Sequence, residues 1–589
     1  MGDTAMADTG IITRLFFRLL PVQIILVAVG SINSIIDGAI AGKFIGPAAL
    51  SMIGLYYPML KLMDTVNAVL VGGSQILCGQ SLGRGELEKT RKIFSLDLIV
   101  TVAFSLLMTA AFLTVPGLIA KGLGADSTTA DGLASYLRAM SFGIAGGMLA
   151  SQLSVFLQLE QQEKRTYIGI GVMAALNISL NLLFVKVLDM GMFGLGLSTS
   201  ISNWVFCIIQ LSYYFTKKAA IRFELHGIEP GYLKEMLRIG IPGAVVQLCL
   251  TIRGVAMNKI ILSFAGSDAL AAYSAVGTFG CAYFAVTAGV ASATRLLVSV
   301  YYGEEDRAGL LMIMKTALFK GVGLVAGVAA VSIALAGVFT GIFCTDSSSE
   351  VYSLTLQYFR MFPLSMPLSC VFVIFSNYYQ CTDRMKIVNF SSVLDGVVGI
   401  VVTSLVLAPV LGAFGIWLSQ IIAGFFPAAA ILIYTVIVNR RLPRSIEDML
   451  VLRSGFGVPE EDRMDISVRS EDDVLETSEA VIGFCTGHGL DYKRSYYSGL
   501  CIEEMAGNIV RHGFVRGRRN SVDIRVVLKD DRMLIRFKDT CKPFDPKEYA
   551  GLFTPEDKTH NIGIRMISRI STEMDYNYIL GLNVLSISL

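Results

Sequence analysis

The sequence predicts a polytopic α-helical membrane protein with twelve transmembrane helices in two parallel six-helix repeats, followed by a soluble α+β domain. Three observations predict it. Hydrophobic residues make up 53% of the 589 residues and charged residues only 16%, a membrane composition. Signatures of the first half recur in the second. Dense charge returns only after Asn439, where the apolar runs shorten.

Twelve apolar runs long enough to cross a bilayer follow one another: 15–36, 47–77, 93–119, 131–159, 166–186, 192–215, 239–265, 268–299, 312–343, 350–379, 387–408 and 414–438. Each is expected as a helix, because lipid offers no partner to bare backbone N–H and C=O groups. The repeat is visible in four places. "PVQIILVAVGSINSIID" (Pro21–Asp37) resembles "PGAVVQLCLTIRGVAMN" (Pro242–Asn258), "GPAAL" (Gly46–Leu50) recurs as "GSDAL" (Gly266–Leu270), "GE" at Gly85 recurs at Gly303, and "GMFGLGLS" (Gly191–Ser198) recurs as "GAFGIWLS" (Gly412–Ser419). The spacing is about 220 residues each time. Six helices followed by six more keep their orientation, the parallel plan that transporters rock around a central site.

Loop charge orients the membrane part. "GRGELEKTRK" (Gly83–Lys92), "QEKR" (Gln162–Arg165), the stretch with Lys217, Lys218 and Arg222, the stretch with Arg307 and Lys315, and "DRMK" (Asp383–Lys386) follow segments two, four, six, eight and ten. Arg14, Arg18, Arg440, Arg441 and Arg444 flank the ends. The positive-inside rule puts both termini in the cytoplasm. The expected domains are 1–445 for the membrane part (lobes about 10–220 and 230–440), 446–463 for a linker containing "SGFGVPEED", and 464–589 for the soluble part. In the latter, "MDISVRS", "SVDIRVVLKD" and "DRMLIRFKD" alternate like strands, with helices expected at 472–487 and 493–511.

A net charge of +2 implies no bulk attraction to nucleic acid. Ten cysteines without a CxxC pair and four histidines without zinc spacing are expected as fillers rather than a disulfide or metal framework.

Charged residues within apolar runs are candidate functional groups. Asp37 ends "SINSIID", where it can pair with a cation or take a proton. Asn177 and Asn181 in "LNISLN" share a helix face; their amides either join Asp37 as ligands or hold helices together. Lys61 and Asp64 are placed to neutralise each other. Arg253, Lys259 and Asp395 are second-lobe candidates, and Arg138 and Arg360 either bind an anionic group or snorkel.

The order of "NSIIDGAIAGKFIG" (Asn33–Gly46), "VGGSQILCGQSLGRGE" (Val71–Glu86), "LNISLN" and "GMFGLGLS" resembles the multidrug and toxic compound extrusion (MATE) family over residues 10–440. The resemblance implies export of cationic, amphipathic or other small organic molecules across the bacterial inner membrane, coupled to Na+ or H+. It gives Asp37 the role of the coupling acid and Asn177 that of its partner. Asn181 stands where many members have a second Asp, which removes one negative charge from the cation site.

In the soluble part, "CIEEMAGNIVRHGF" (Cys501–Phe514) offers a carboxylate and an amide spaced for one helix face, with His512-Gly513 closing the helix. Asp539 follows a strand, and "THNIGIRMI" (Thr559–Ile567) opens a helix whose N-terminus suits phosphate. There is no GxxxxGK[ST]. The three boxes resemble the GHKL-type ATP-binding fold, closest to the anti-sigma-factor serine kinases through "EEMAGNIVRHGF" and "DTCKPFDP". By that resemblance Glu504 is the general base, Asn508 the Mg2+ ligand, and Asp539 the adenine anchor. His512, Cys541, Asn561 and Gly563 also fall in its nucleotide site, Gly563 as a glycine of the phosphate lid. Cys541 and Asn561 replace glycines of that pattern. The basic run "RGRRN" (Arg516–Asn520) contacts either phosphate, anionic lipid or solvent.

The leading reading is a cation-coupled secondary exporter with a cytosolic domain that binds ATP or ADP with Mg2+ and regulates or senses, with a cytosolic regulatory protein as a further partner. A second reading makes the tail a protein Ser/Thr kinase with the membrane part as its sensor, and a third makes the chain a flippase for lipids or sugar-lipids.

Overall fold

The computed structural model describes residues 8–589 apart from 217–218, 225, 345, 454, 516–519, 530–531 and 552–561. Lys217, Lys218, Arg516, Arg518, Arg519 and Asn561 therefore lie outside the described residues.

Helices occupy each of the twelve expected runs. By length and apolarity, nine stretches among the described residues qualify as membrane spans, or ten with one bent pair. Three departures explain the difference from twelve. The second helix, Pro47–Gly83, carries Lys61 and Asp64 and falls outside that set. The fourth run is two helices, Ala130–Ser141 and Ile144–Leu159, bent by 47°. The last two runs form one 55-residue stretch, Met385–Asn439, broken at Gly412 (φ 57°, ψ −135°). Ser404 Oγ lies 2.6 Å from Ser419 Oγ across that break, whereas a straight helix would separate them by about 22 Å. The stretch is therefore a helical hairpin, and its two arms are the eleventh and twelfth rods. Helix ends also run past the apolar runs, to Asp8 and Ile40 in the first helix and back to Pro230 in the seventh.

The core shows how the lobes meet. At the end carrying the basic loops, one apolar cluster draws on both lobes, with Phe16, Leu77, Leu82 and Phe156 from the first and Leu297, Tyr301, Ile313 and Tyr378 from the second. Backbones touch there: a Cβ on Gly303 would lie 2.1 Å from Gln80 O, and one on Gly83 2.1 Å from Val300 O. Only glycine permits that approach. Arg295 Nε donates to Gln75 Oε1 (2.7 Å) and Gln80 Nε2 to Cys381 O (2.8 Å) across the same seam. At the opposite end the clusters separate. One holds first-lobe residues such as Ile40, Ala49, Tyr56 and Tyr136, the other second-lobe residues such as Met257, Ala269, Tyr358 and Trp417. The lobes thus close at the basic-loop end and part at the other.

The C-terminal part is a five-stranded antiparallel sheet of order β1-β2-β3-β5-β4: β1 Arg463–Val468, β2 Val522–Lys529, β3 Arg532–Asp539, β4 Glu573–Ile579 and β5 Leu582–Ser588. Val522, Ile524, Val526, Ile535 and Phe537 turn one face into a core with Val481, Ile502, Met505 and Ile567 of the covering helices. The helix Glu471–Gly487 opens on a Ser470–Asp473 capping box. Two details refine the sequence expectation. The helix expected over 493–511 is α-helical over Tyr492–Cys501, then continues through π-turns at Ile502–Ala506 and Ile509–Gly513 with Gly507 and Asn508 α-helical between them. The linker region is not bare: Ile446–Leu450 forms a short helix held by Tyr379 Oη to Met449 O (2.7 Å) and by Arg307–Glu447 (2.8 Å).

Candidate functional site

Two sites emerge, one in each part. In the first lobe, three helices converge on Asp37, itself 9% exposed. Asn181 Nδ2 donates to Asp37 Oδ1 (2.6 Å) and Thr199 Oγ1 to Asp37 Oδ2 (3.2 Å). Asn181 Nδ2 also reaches Asn177 Oδ1 (3.1 Å), Asn177 Nδ2 donates to Thr199 Oγ1 (3.2 Å), and Ser198 Oγ donates to Asn181 Oδ1. The spacing of Asn177 and Asn181 on the helix Glu163–Asn181 puts both amides toward the first helix. Burial forbids leaving that carboxylate unpaired, so the amides and hydroxyl close around it. Ser198 and Thr199 were missed as site residues. The signal lay in "GMFGLGLST" (Gly191–Thr199), whose first eight residues were read as a repeat and a family signature, although hydroxyls in an apolar run need partners.

The other intramembrane candidates take smaller roles. Lys61 Nζ pairs with Asp64 Oδ2 (3.0 Å). Arg253 Nη2 donates to Gln420 Oε1 (2.6 Å) and lies within electrostatic reach of Asp395. Arg138, Lys259 and Arg360 are exposed, as snorkelling side chains are.

In the sheet domain, Asp539 ends β3 and is 3% exposed. Its Oδ1 accepts from Cys541 N (2.7 Å) and from Asn583 Nδ2 (2.7 Å), and Tyr576 Oη donates to Asn583 Oδ1 (2.7 Å). Burial raises the Asp539 carboxyl above its ordinary range against those hydrogen bonds. Burial and the neighbouring Asp539 push the Cys541 thiol up to about 12, so it is a neutral filler and not a thiolate. Asn583 was missed because β4 and β5 were not read as strands.

The helical arm carrying Glu504 and Asn508 meets the other two boxes. Gly513 packs on Cys541, whose Sγ would lie 3.0 Å from a Cβ there. Gly563, in the first turn of the helix Ile562–Ile570, packs on Glu504, whose Oε2 would lie 1.7 Å from a Cβ. Glu504 and Asn508 are half-buried and His512 is exposed. The structure thus brings Glu504 to Gly563, and the end of the Asn508–His512 arm to Cys541 and Asp539. π-turns re-aim side chains, which is why they recur at functional sites. Among the described residues no group of three or more His, Cys, Asp or Glu could hold a metal. Asn508 is the kind of single neutral oxygen that a Mg2+ retaining water and phosphate ligands accepts.

The MatE family model matches residues 24–183 and 242–405, and the model described as "Histidine kinase-like ATPase domain" matches 471–588. Curated relatives include a probable multidrug resistance protein NorM of Mannheimia succiniciproducens, 27% identical over 264 residues (43% of this chain, 56% of that protein). Another is the probable multidrug resistance protein YoeA of Bacillus subtilis, 22% identical over 297 residues (47% of this chain, 62% of that protein). The chain thus spans under two thirds of the length of these relatives. Among solved structures, an outward-facing multidrug resistance MATE transporter aligns with TM-score 0.66 at 20% identity, covering 71% of this chain and 94% of that one. A MOP superfamily transporter from Pyrococcus furiosus aligns with TM-score 0.66 at 20% identity, covering 73% and 96%. The chain therefore belongs to the MatE family and carries a histidine kinase-like ATPase domain at its C-terminal end.

Proposed function

We propose that the chain is a bacterial inner-membrane secondary exporter of small organic molecules, driven by Na+ or H+ and regulated by its nucleotide-binding domain. The membrane part spans to about residue 445 and the soluble domain begins near 464. Both termini, and with them the soluble domain, lie on the cytosolic side with the basic loops, as the positive-inside rule implies. The cleft then opens outward, the pose from which substrate is released.

The observation that carries the reading is the buried Asp37 hub in the first of two lobes that close against each other at one end only. A carboxylate ringed by amide and hydroxyl groups discharges by taking a proton or binding a cation, and either event rewrites the bonds to Asn181 and Thr199 that tie three helices together. With Asn181 Nδ2 on the carboxylate, the present arrangement suits an anion; a Na+ would need the amide oxygen there instead. One nucleotide domain without a P-loop argues for control rather than for a pump.

In the nucleotide domain Asp539 would anchor the adenine amine, Asn508 would hold Mg2+, and Glu504 would accept a proton as general base. Mg2+ supplies charge neutralisation at the phosphates. The test is gradient-driven efflux of a fluorescent organic cation from proteoliposomes. Asp37→Asn should abolish it under both Na+ and proton gradients. Efflux equal to wild type under both gradients refutes the hub as the coupling site.

A further inference from the structure

We propose that the sheet of the nucleotide-binding domain is a clamp that holds the two lobes together at the basic-loop end. The proposal deepens the regulatory reading above and rests on it for the origin of control, though its contacts stand on their own geometry. An antiparallel sheet covered by helices on one face ordinarily shows its other face to water. Here that face is occupied.

Along β2 and β3 the side chains alternate, so Ile524, Val526, Phe537 and Asp539 face the helices while Arg525, Arg536 and Lys538 face the membrane part. Lys538 Nζ meets Glu304 Oε2 (2.5 Å) and sits 4.5 Å from the centre of the Tyr301 ring. Arg525 Nη1 meets Asp306 Oδ2 (2.7 Å) and its Nε meets Asp465 (2.5 Å). The Glu304 and Asp306 side chains are 4% and 1% exposed. They are desolvated, so removing either partner strands a buried charge. All these membrane-side residues belong to the second lobe.

The opposite edge of the same sheet grips the first lobe. The β4–β5 hairpin turns at Leu580-Gly581 (φ 52° and 80°), a left-handed pair that is uncommon for leucine. Leu580 is held from both sides: its N–H donates to Leu159 O (3.1 Å), and its carbonyl accepts from Gln161 Nε2 (3.2 Å). Tyr578 Oη donates to Gln161 Oε1 (2.6 Å). Ile579, Leu580, Leu582 and Val584 are buried in the apolar cluster that joins the lobes.

One sheet therefore bonds residues 159–161 of the first lobe and 304–306 of the second. Opening this end of the transporter requires the sheet to release one lobe. The short helix Ile446–Leu450 tethers the domain to the second lobe through Tyr378, Tyr379 and Arg307, so the hairpin is where release occurs. Lys538 and Asp539 are neighbours on opposite faces of β3, which places the adenine anchor next to the clamp.

The test uses the full chain in lipid nanodiscs, with spin labels carried on unnatural side chains at the exposed positions 164 and 386 on the two lobes. Pulsed dipolar spectroscopy then reads the distance across the basic-loop end. Lys538→Glu should raise the open-to-closed ratio about tenfold or more, and Lys538→Glu with Glu304→Lys should return it towards wild type. Leu580→Asp keeps a residue that tolerates left-handed backbone, removes the apolar plug, and should open the same end. Distances unchanged in both Lys538→Glu and Leu580→Asp overturn the clamp. ATP titrated on the same samples separates the two readings. Unchanged distances with normal ATP affinity overturn the clamp alone, while opening without ATP affinity in any sample overturns nucleotide control alone.

Discussion

Asp539→Asn is the sharpest probe of the nucleotide site. The substitution keeps an oxygen to accept the Cys541 N–H and the Asn583 amide, each 2.7 Å from Asp539 Oδ1. It exchanges the other carboxylate oxygen for an NH2 group that opposes the adenine amine. The loss is that of a hydrogen bond to a charged group, about 1.5–3 kcal/mol, or about 10- to 150-fold in Kd. Stability should not fall with it. Burial raises the folded-state pKa of Asp539, so the native state binds this proton more readily than the unfolded chain. Wild-type stability therefore declines as pH rises from the ordinary aspartate value through the raised one. At neutral pH the variant, free of that buried charge, should melt no lower than wild type. The assay is calorimetric titration of the purified full chain with Mg-ATP, paired with a melting curve. Nucleotide affinity in wild type should also weaken on acidification at a pH above that of an ordinary aspartate, and Asp539→Asn should lose that dependence. Unchanged affinity in a variant that melts normally would refute the anchor.

Three further outcomes follow from the geometry. Asn508→Ala should weaken ATP binding by about tenfold or more and should remove the difference between Mg2+ and chelator in the same titration. Gly563→Ala puts a Cβ where Glu504 Oε2 lies, so it should lower nucleotide affinity while leaving gradient-driven efflux in place; a titration matching wild type contradicts that contact. Burial pushes the Asp306 carboxyl up, but the charges of Arg525 and Lys538 and the Gly309 N–H outweigh it and hold the group below the usual aspartate range. Its folded value lies below its unfolded value of about 3.9, so its stabilisation is complete above that pH and is lost as pH falls further. The interdomain contact should survive acidification to about pH 4 and fail below it, read by the same spin-label distance.

Much of this fold was legible because lipid imposes a simple rule. Apolar runs must be helical, and their repetition from Pro21 to Pro242 announced two lobes. What was not legible was geometry that arises between elements distant in sequence. Asp37 and Asn181 meet across 144 residues. The sequence marked both, but Thr199 and Ser198 looked like two more small residues of a packing helix. The fold-back at Gly412 was legible, since it falls in the gap between the runs 387–408 and 414–438. In the soluble part, the alternation of β2 and β3 was plain. The β4–β5 hairpin was not, because Ile579, Leu580, Leu582 and Val584 bury against the membrane part and so break the two-residue period of a half-exposed strand. The same burial hid Asn583. The π-turns over Ile502–Gly513 have no sequence period of their own and register only as a helix.

Solute flux into or out of proteoliposomes, measured with and without a cation gradient and with ATP or a non-hydrolysable analogue on the side of the nucleotide domain, tests the central claim most directly. If ions drive export and the nucleotide only sets its rate, a gradient alone moves solute against its concentration, and ATP and the analogue change the rate alike. Accumulation without any gradient that proceeds with ATP and stops with the analogue would contradict it.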